Sequence, residues 1–412
     1  MEEDNEQSVE IPPYFLCPIS LQIMKDPVTV ITGITYDRDS IQKWLSNSTN
    51  ATCPVTNQSL SRNSYLIPNH TLRRLIHVWC STAASIPTPT PTSVLDKPQL
   101  LRVMRCLENG DVETAPFMVS LTRLEALGNG AEMNRVLMAR CDVPKLMLEL
   151  FVRCSTKCLN ECLKICLAVL DRVWSIYRPT LDFKTFVDEN VIHLVHHLSA
   201  AAYNNNLSGL ALLALKIVIE LTSLNQLQLL EMDFFSKMVK LLSHHRHTTT
   251  ITVLQILTHL CSVGQNRAKI MEAGAVEALV ELELIISPNQ KRTTDLIFRL
   301  LSLLCHYVEG RERFLSHPCG LALLAERLLR VSPAVDDRIL EMIALISKLC
   351  RRKEVVVMEM LQVGVVSKLC MAMQADCADY LKAKARKVLR MHWSCWNGSP
   401  CIALYLLTMH HR

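Results

Sequence analysis

The sequence predicts a mostly α-helical protein in which a small α+β domain is followed by an α-solenoid. Half of the 412 residues are apolar, 5% are aromatic and 11 are glycine, a composition that favours long helices packed through aliphatic side chains. A Pro/Thr stretch at residues 86–98 separates an N-terminal segment rich in turn signals from a much longer helical segment. In that longer segment a helix–turn–helix pattern recurs every 41 to 49 residues, which indicates stacked helical repeats.

The first ten residues, MEEDNEQSVE, are mostly acidic or polar, and we expect them to be disordered. They contain no basic region followed by an apolar run, so they do not resemble a secretory signal. The richest apolar stretch, LSGLALLALKIVIELTSL, includes Lys216 and Glu220 and is short for a bilayer crossing, which predicts a core helix and no transmembrane segment. We therefore expect the 17 cysteines to be small buried residues in a reducing cytoplasm or nucleus.

Residues 11–85 contain two Cys-Pro corners, FLCPIS and TCPVT, that outline a zinc-binding RING domain. A RING domain needs about eight ligands for its two zinc ions. The segment offers fewer, at spacings that match no zinc pattern: Cys17, Cys53, Cys80, His70 and His77. The rest of the pattern predicts an apolar first loop, a β-hairpin over VTVITGITYD, a helix from about residue 37 to 45, a second loop at CPVT, and a final helix after Pro68 with Asn69 as its N-cap.

The stretches FLCPISLQIMKDPV, GITYDRDSIQKWL, TCPVT and LIPNHTLRRLI follow one another in the order found in the U-box, the metal-free relative of the RING domain. Residues 11–85 resemble that domain. The resemblance implies neither metal nor cofactor, because hydrogen bonds and salt bridges replace zinc, and it assigns structural roles to Cys17, Asp26, Asp37, Arg38 and Thr56. It also implies a surface that docks a ubiquitin-conjugating enzyme, formed by Pro18, Ile19, Leu21, Trp44 and Pro54. Cys17 is interpreted as a buried structural thiol, and no residue is predicted to be a covalent nucleophile.

One position departs from the pattern of ubiquitin ligases of the RING and U-box type. Many of them have a basic residue just after the second loop, which contacts both the conjugating enzyme and ubiquitin. In CPVTNQ that place is taken by Asn57, a candidate for positioning ubiquitin. An asparagine amide donates hydrogen bonds but lacks the charge and the fork of arginine. The departure bears on how strongly the domain activates transfer.

Residues 86–98 are predicted to be a linker, because alternating Pro and Thr cannot continue a helix and favour extended polyproline geometry. Beyond it, NRAKIMEAGAVEALVELE is the clearest repeat unit. We take six positions as equivalent turns: Cys141, Asn190, Asp233, Gly274, Cys319 and Gly364. Residues 99–390 resemble armadillo repeats, which stack into a superhelix with a long binding groove. Residues 391–412, with WSCWNGSPC, are predicted to cap the last repeat.

Two clusters in the repeats have alternative interpretations. Cys154, Cys158, Cys162 and Cys166 recur every four residues and are predicted to lie on one face of a single helix. One straight helix cannot place four ligands in a tetrahedron, so packing is favoured over metal or redox chemistry. The histidines in HLVHHL and SHHRH are interpreted as a solvated or partner-facing surface: His193, His196, His197, His244, His245 and His247.

The combination resembles the plant U-box ubiquitin ligases, in particular a subgroup associated with stress and immunity. The resemblance implies that the U-box docks a conjugating enzyme charged with ubiquitin as a thioester, that the armadillo groove holds a protein substrate, and that ubiquitin passes directly to a substrate lysine. The net charge of +5 without a dense basic block argues against nucleic acid as a partner. A homo-oligomer is left open, and the cytoplasm is the expected location, with the nucleus as the alternative.

Two other functions stay open at this point. One is a non-catalytic adaptor that binds partners through its armadillo repeats and carries a degraded U-box. The other is a nuclear import carrier, which would place Trp and Asn residues regularly along the groove. The five tryptophans are not so arranged: Trp44, Trp79, Trp174, Trp393 and Trp396.

Overall fold

The structure, a computed structural model, describes residues 12–47, 52–60, 65–82, 96–243, 247–287, 289–350 and 353–410. It divides into two compact units, the second of which begins at Lys97. The predicted disordered residues 1–10 and residues 86–95 of the predicted linker lie outside the described residues. The last two residues of that predicted linker, Lys97 and Pro98, belong to the first helix of the second unit, since proline is tolerated in the first turn of a helix.

The described part of the first unit contains a 3₁₀ helix at Pro13–Phe15, a small antiparallel sheet and two α-helices: β1 Pro27–Thr29, β2 Thr35–Asp37, α1 Arg38–Asn47, β3 Ile67–Pro68 and α2 His70–Thr82. The strand order is β2-β1-β3, and Val28 of β1 lies opposite Tyr36 of β2. The hairpin between β1 and β2 turns at Gly33, whose φ of +82° is costly for residues with a Cβ atom. The predicted hairpin and both predicted helices are confirmed.

The core of the first unit lies between the sheet, α1 and the two Cys-Pro loops, and is made by fully buried residues that include Cys17, Val28, Tyr36, Ile41 and Cys53. Helix α2 starts where predicted, because the Asn69 side-chain oxygen accepts a hydrogen bond from the Leu72 amide at 3.0 Å. The Asn69 amide in turn donates to the Pro27 carbonyl at 2.8 Å, so this N-cap also ties α2 to the sheet.

The helices that follow residue 96 are α3 Lys97–Asn109, α4 Ala115–Asn129, α5 Glu132–Arg140, α6 Val143–Thr156, α7 Asn160–Trp174, α8 Leu181–Ala201, α9 Ser208–Leu221, α10 Leu224–Leu227, α11 Met232–Leu242, α12 His247–Leu260, α13 Gly264–Glu272, α14 Ala275–Ile285, α15 Lys291–Cys305, α16 Val308–Ser316, α17 Gly320–Arg327, α18 Pro333–Leu349, α19 Lys353–Gln362, α20 Val365–Gln374, α21 Asp379–Met391, α22 Trp393–Trp396 and α23 Pro400–His410. Each packs mainly on helices near to it in sequence, as in a solenoid.

The predicted repeat turns are partly correct. Gly274 and Gly364 adopt positive φ values of +82° and +87° directly before α14 and α20, and a similar turn before α6 is made by Asp142, next to the predicted Cys141. Cys319 directly precedes α17. The turn before α11 lies at Glu231, two residues before the predicted Asp233.

The turn predicted at Asn190 is wrong. Helix α8 runs without a break through this position, and it buries Val187, Val191, Leu194 and Leu198 along one face on both sides of it. The Asn190 side chain donates to the Phe186 carbonyl at 2.9 Å, one turn earlier in the same helix. A continuous apolar face favours one long helix where the repeat pattern predicted two shorter ones.

The prediction that four cysteines share one helix is also wrong. Helix α6 ends at Thr156, and Cys158 takes a left-handed conformation with φ of +56° before α7 begins. The Leu159 and Cys158 amides donate to the Cys154 and Ser155 carbonyls, both at 3.2 Å, which is the hydrogen-bond pattern of a Schellman helix ending. Cys154, Cys162 and Cys166 are buried, whereas Cys158 is exposed. The packing role is therefore confirmed for three of the four cysteines.

The C-terminal segment packs onto the last repeat. Trp396 of α22 is fully buried, and its indole nitrogen donates to the Val357 carbonyl in α19 at 2.9 Å. Within the described ranges, no single helix is both long and apolar enough to cross a membrane. Helices α19 and α20 meet that length and composition only as a pair, bent by 66° between them.

Candidate functional site

The two Cys-Pro loops of the first unit have the same backbone geometry. In the first loop the Cys17 amide donates to the Gln22 carbonyl at 2.8 Å, and the Leu21 amide donates back to the Cys17 carbonyl at 2.8 Å. In the second loop the equivalent distances are 2.8 Å from Cys53 to Gln58 and 2.9 Å from Asn57 to Cys53. Each loop is closed by one antiparallel bridge at its ends. CPISLQ and CPVTNQ are thus two copies of one turn.

The fifth residue of each copy takes a left-handed conformation, with φ of +56° at Leu21 and +57° at Asn57. Asparagine adopts this conformation readily, whereas leucine pays a steric penalty. The asparagine that departs from the basic residue of many ligases therefore suits its backbone. Leu21 is strained and yet 75% exposed, so its side chain gains almost no burial in return.

The two loop cysteines are buried and bound by hydrogen-bond donors. The Asp37 amide donates to the Cys17 sulfur at 3.3 Å. The Cys53 sulfur lies 3.0 Å from the Tyr36 hydroxyl and 3.3 Å from the Thr32 hydroxyl. Burial alone would raise the pKa of Cys53, but hydrogen bonds from Thr32, Thr56 and Tyr36 outweigh it and lower that pKa to about 6. The same balance, with the Asp37 amide as the main donor, lowers the pKa of Cys17.

Charged side chains join the loops to the helices. The Asp26 carboxylate accepts from Arg38 at 2.6 Å and lies 3.6 Å from an Arg73 nitrogen. One oxygen of the Asp37 carboxylate accepts from the Lys25 and Asp26 amides, at 2.7 and 2.9 Å. This network links β2, α1 and α2, and the Thr56 side chain joins the Cys53 cluster. The structure thus places all five residues with a predicted structural role in polar contacts.

Sequence reasoning missed Arg73 and Tyr36 in these contacts. The signal for Tyr36 was its place at the centre of β2, where alternation predicts a buried side chain. Among the described residues, no group of three or more His, Cys, Asp or Glu side chains could hold a metal ion. Of the five residues weighed as zinc ligands, the side chains of His77 and Cys80 lie outside that description.

The predicted docking residues differ in how far they project. Pro18 and Leu21 are exposed, while Ile19 is half-buried and packs against the core. Trp44 is 40% exposed, and its indole nitrogen donates to the Thr52 carbonyl at 2.9 Å, which ties α1 to the second loop. Pro54 is half-buried. The two loops that contain the four residues other than Trp44 are both hydrogen-bonded to β2 through their cysteines.

Val55 was missed by sequence reasoning, although it is 51% exposed at the position of the second loop that matches Ile19 in the first. The similarity of CPIS and CPVT was the signal that could have found it. We call the two loops and Trp44 the loop surface, with its apolar members Pro18, Ile19, Leu21, Trp44, Pro54 and Val55.

Where the structure describes them, the candidate histidines and cysteines of the repeats form no second site of this kind. His193 and His196 are exposed, and His197 is half-buried with one ring nitrogen 3.0 Å from the Ser155 hydroxyl. Residues 244–246 and the side chain of His247 lie outside the described residues. The Cys162 thiol donates a hydrogen bond to the Met118 sulfur at 3.0 Å between α4 and α7.

Comparison with known proteins agrees with this architecture. Residues 11–85 match the model of the U-box domain, and residues 100–412 match that of the plant U-box protein ARM repeat region. Three similar proteins come from Arabidopsis thaliana. E3 ubiquitin-protein ligase PUB23 is 34% identical, with 96% of each chain covered. PUB24 is 34% identical over 98% of this chain and 97% of the relative, and PUB22 is 30% identical over 96% and 98%.

Among solved structures, the crystal structure of an engineered protein is similar in fold. It has a TM-score of 0.52 at 14% sequence identity, and the match covers 85% of this chain and 77% of the engineered one. The two family models together span nearly the whole sequence, and the Pro/Thr stretch lies between the two matched regions. The chain therefore belongs to the plant U-box family of ubiquitin-protein ligases with an armadillo-repeat region.

Proposed function

We propose that this ligase docks a ubiquitin-conjugating enzyme on its loop surface and promotes direct transfer of ubiquitin from that enzyme to a lysine of a protein held by the armadillo repeats. One observation carries the docking step. Leu21 is 75% exposed although its backbone is held in the left-handed region.

A non-glycine residue in this region costs about 1 to 2 kcal/mol, and strained residues persist where function requires them. In the free protein, burial of the Leu21 side chain offsets almost none of this cost. Its counterpart Asn57 shows which residue the same turn accepts without that cost. A leucine at this position is explained by an apolar contact that forms only in a complex, as expected of an interface anchor.

The remaining chemistry belongs to the conjugating enzyme. Docking brings the thioester to a high effective concentration near the bound substrate, so that the substrate lysine attacks it and releases the enzyme's thiol. Cys17 and Cys53 are fully buried, and neither sulfur can reach a ubiquitin terminus. The exposed Asn57 side chain offers uncharged hydrogen bonds to ubiquitin where related ligases offer a cation.

The same proposal extends to location. The described cysteines are free thiols, which agrees with a reducing cytoplasm or nucleus. The resemblance to plant U-box ligases associated with stress and immunity suggests a role in stress responses or defence. Measuring substrate ubiquitination in stressed plant cells tests this role.

The test of docking uses the full-length protein with activating enzyme, a panel of conjugating enzymes, ubiquitin and ATP. Leu21→Asn relieves the backbone strain and removes the apolar anchor. We expect its rate of self-ubiquitination to fall at least about tenfold, with a melting temperature equal to or above that of the wild type. Leu75→Gln, on an exposed face of α2, is the matched control and should keep the wild-type rate.

Two results would contradict the proposal. A wild-type protein that forms no ubiquitin chains with any conjugating enzyme of the panel would favour the adaptor alternative. Full activity of Leu21→Asn with every enzyme that supports the wild type would show that docking uses another surface.

A further inference from the structure

The armadillo region contains a cavity of about 520 Å³ between α3, α6 and α8. We call it the α6–α8 cavity. Its apolar wall is formed by Leu146, Leu150 and Leu194, which are buried, and by the half-buried ring of Phe186. Such a wall suits the methylene stem of a lysine or arginine, whose charged end stays near polar groups.

Two carboxylates border the cavity, Glu108 from α3 and Glu149 from α6. In the part of the chain that the structure describes, no donor hydrogen-bonds either carboxylate. Burial raises the pKa of Glu149, and the charge of Glu108 adds to that effect, while Lys145 and Arg153 offset it in part. The ionised Glu149 thus lacks a close partner of its own.

The cation that lines the cavity, Arg153, is already engaged. Its guanidinium donates to the Leu107 and Glu108 carbonyls, both at 3.1 Å, and to the Gly110 carbonyl at 2.6 Å. These bonds satisfy the C-terminal end of α3. Lys145 lies over the Phe186 ring, with its nitrogen 5.3 Å from the centroid. Both cations keep their charge near the cavity, but neither is paired with a carboxylate there, so among the described residues Glu108 and Glu149 stay without an ion pair beside the apolar wall.

A second cavity of about 400 Å³ adjoins the first, because His193 lines both. Its acidic residues are Glu231 and Asp233, and Asp233 is paired with Lys237 at 2.6 Å. Packed helices lie about 8 to 10 Å apart, and a chain in polyproline II geometry advances about 3.1 Å per residue with about three residues per turn, so that side chains three residues apart share a face. Basic side chains three residues apart would therefore span neighbouring helices.

We propose that the two cavities bind a basic segment of the protein substrate, in which a lysine or arginine enters the α6–α8 cavity and its charged end pairs with Glu149. The chain has a formal net charge of +5, so overall charge does not attract such a segment, and the local carboxylates must do so. The role of the segment as substrate rests on the proposed ligase function; its binding does not.

The test uses a fluorescein-labelled peptide of glycine and serine that carries two lysines three positions apart, titrated with full-length protein and followed by fluorescence anisotropy. A second peptide carries norleucine at both positions, which keeps the stem and removes the charge. We expect the lysine peptide to bind at least about tenfold more tightly. Glu149→Gln should abolish this preference. Glu189→Gln, an exposed change of the same kind in α8, should keep it.

The variants and outcomes separate the two proposals. Because burial disfavours the charge of Glu149, Glu149→Gln should melt at or above the wild-type temperature. Glu108 lines the same cavity and is exposed, so Glu108→Gln provides a second test. Equal affinities for the lysine and norleucine peptides, no binding of either at about 1 mM, or a wild-type preference in Glu149→Gln would overturn the inference. Loss of ligase activity with an intact lysine preference would count only against the proposed function.

Discussion

At the scale of single residues, the two loop cysteines explain why the outline of a metal site survives in this chain. Each sulfur is buried and accepts hydrogen bonds, from the Asp37 amide at Cys17 and from hydroxyl groups at Cys53. A thiolate is a strong acceptor, so donors around it can fix a loop much as a metal ion does. The Tyr36 proton stays in place, because burial and the neighbouring Cys53 raise the pKa of its hydroxyl.

This arrangement predicts a pH dependence. The pKa of Cys53 is about 6 in the folded protein, whereas the ordinary cysteine value of 9.0 applies in the unfolded chain. Folding therefore favours the thiolate. The stabilisation is complete above pH 9 and is lost as the pH falls toward 6. We expect Cys53 to make the free energy of unfolding rise across this window by at most about 1.4 kcal/mol per pH unit. Cys53→Ser should remove that part of the rise, while the part due to Cys17, whose pKa is also lowered, remains. Denaturant titrations of both proteins at several pH values measure the difference, and parallel curves would contradict it.

Ile19 and Leu21 should differ in what they contribute. The Ile19 side chain is half-buried against the core of the first unit, whereas the Leu21 side chain is exposed. Ile19→Ala should therefore cost about 1 to 2 kcal/mol of stability and also slow ubiquitin transfer. Leu21→Ala should slow transfer without lowering the melting temperature. Thermal unfolding and transfer assays on both variants check this, and an unchanged melting temperature for Ile19→Ala would place its side chain outside the core.

The residues of the loop surface other than Val55 could be named from the sequence, because their order along the chain matches a known domain. Their conformations could not be predicted. The left-handed backbone at Leu21 follows from hydrogen bonds that close the loop, and a leucine gives no local sign of it. The meeting of Tyr36 with Cys53 depends on how the second loop packs on β2, over 17 residues of separation.

At the scale of elements, the start of α2 is the prediction that local sequence supported best. Asn69→Ala should remove the N-cap and lower the stability by about 1 kcal/mol, because the Leu72 amide loses its acceptor. Asn69→Asp keeps an acceptor at the same place and is the control. Denaturant midpoints of the two variants check the cap. If Asn69→Asp loses as much as Asn69→Ala, the amide contact to Thr35 at 3.5 Å is the one that matters.

The helix boundaries that sequence reasoning missed have a common cause. In α8 an apolar face continues through Asn190. Between α6 and α7 a cysteine occupies the left-handed position at the end of a helix, where glycine is the usual residue. Where a glycine marks the turn, as at Gly274 and Gly364, the prediction was correct. Periodicity reveals which face is buried, but it does not show where a helix ends.

At the scale of the whole molecule, the contacts of the loop cysteines predict insensitivity to metal removal. Since hydrogen-bond donors occupy both sulfurs, treating the full-length protein with EDTA or phenanthroline should leave its helicity, melting temperature and ubiquitin transfer unchanged. Circular dichroism and the transfer assay measure these properties on the same sample. A loss of transfer that added zinc restores would show that the fold of the first unit depends on metal after all.

The strained backbone at Leu21 also matters for directed evolution of this protein. A library screened for heat resistance alone would enrich glycine or asparagine at this position, since both relieve the left-handed backbone. The variants selected in such a screen would be more stable and would have lost the proposed contact of Leu21 with the conjugating enzyme. Screens for a more durable ligase therefore need to select for ubiquitin transfer in every round, and Leu21 is the position at which the two criteria first diverge.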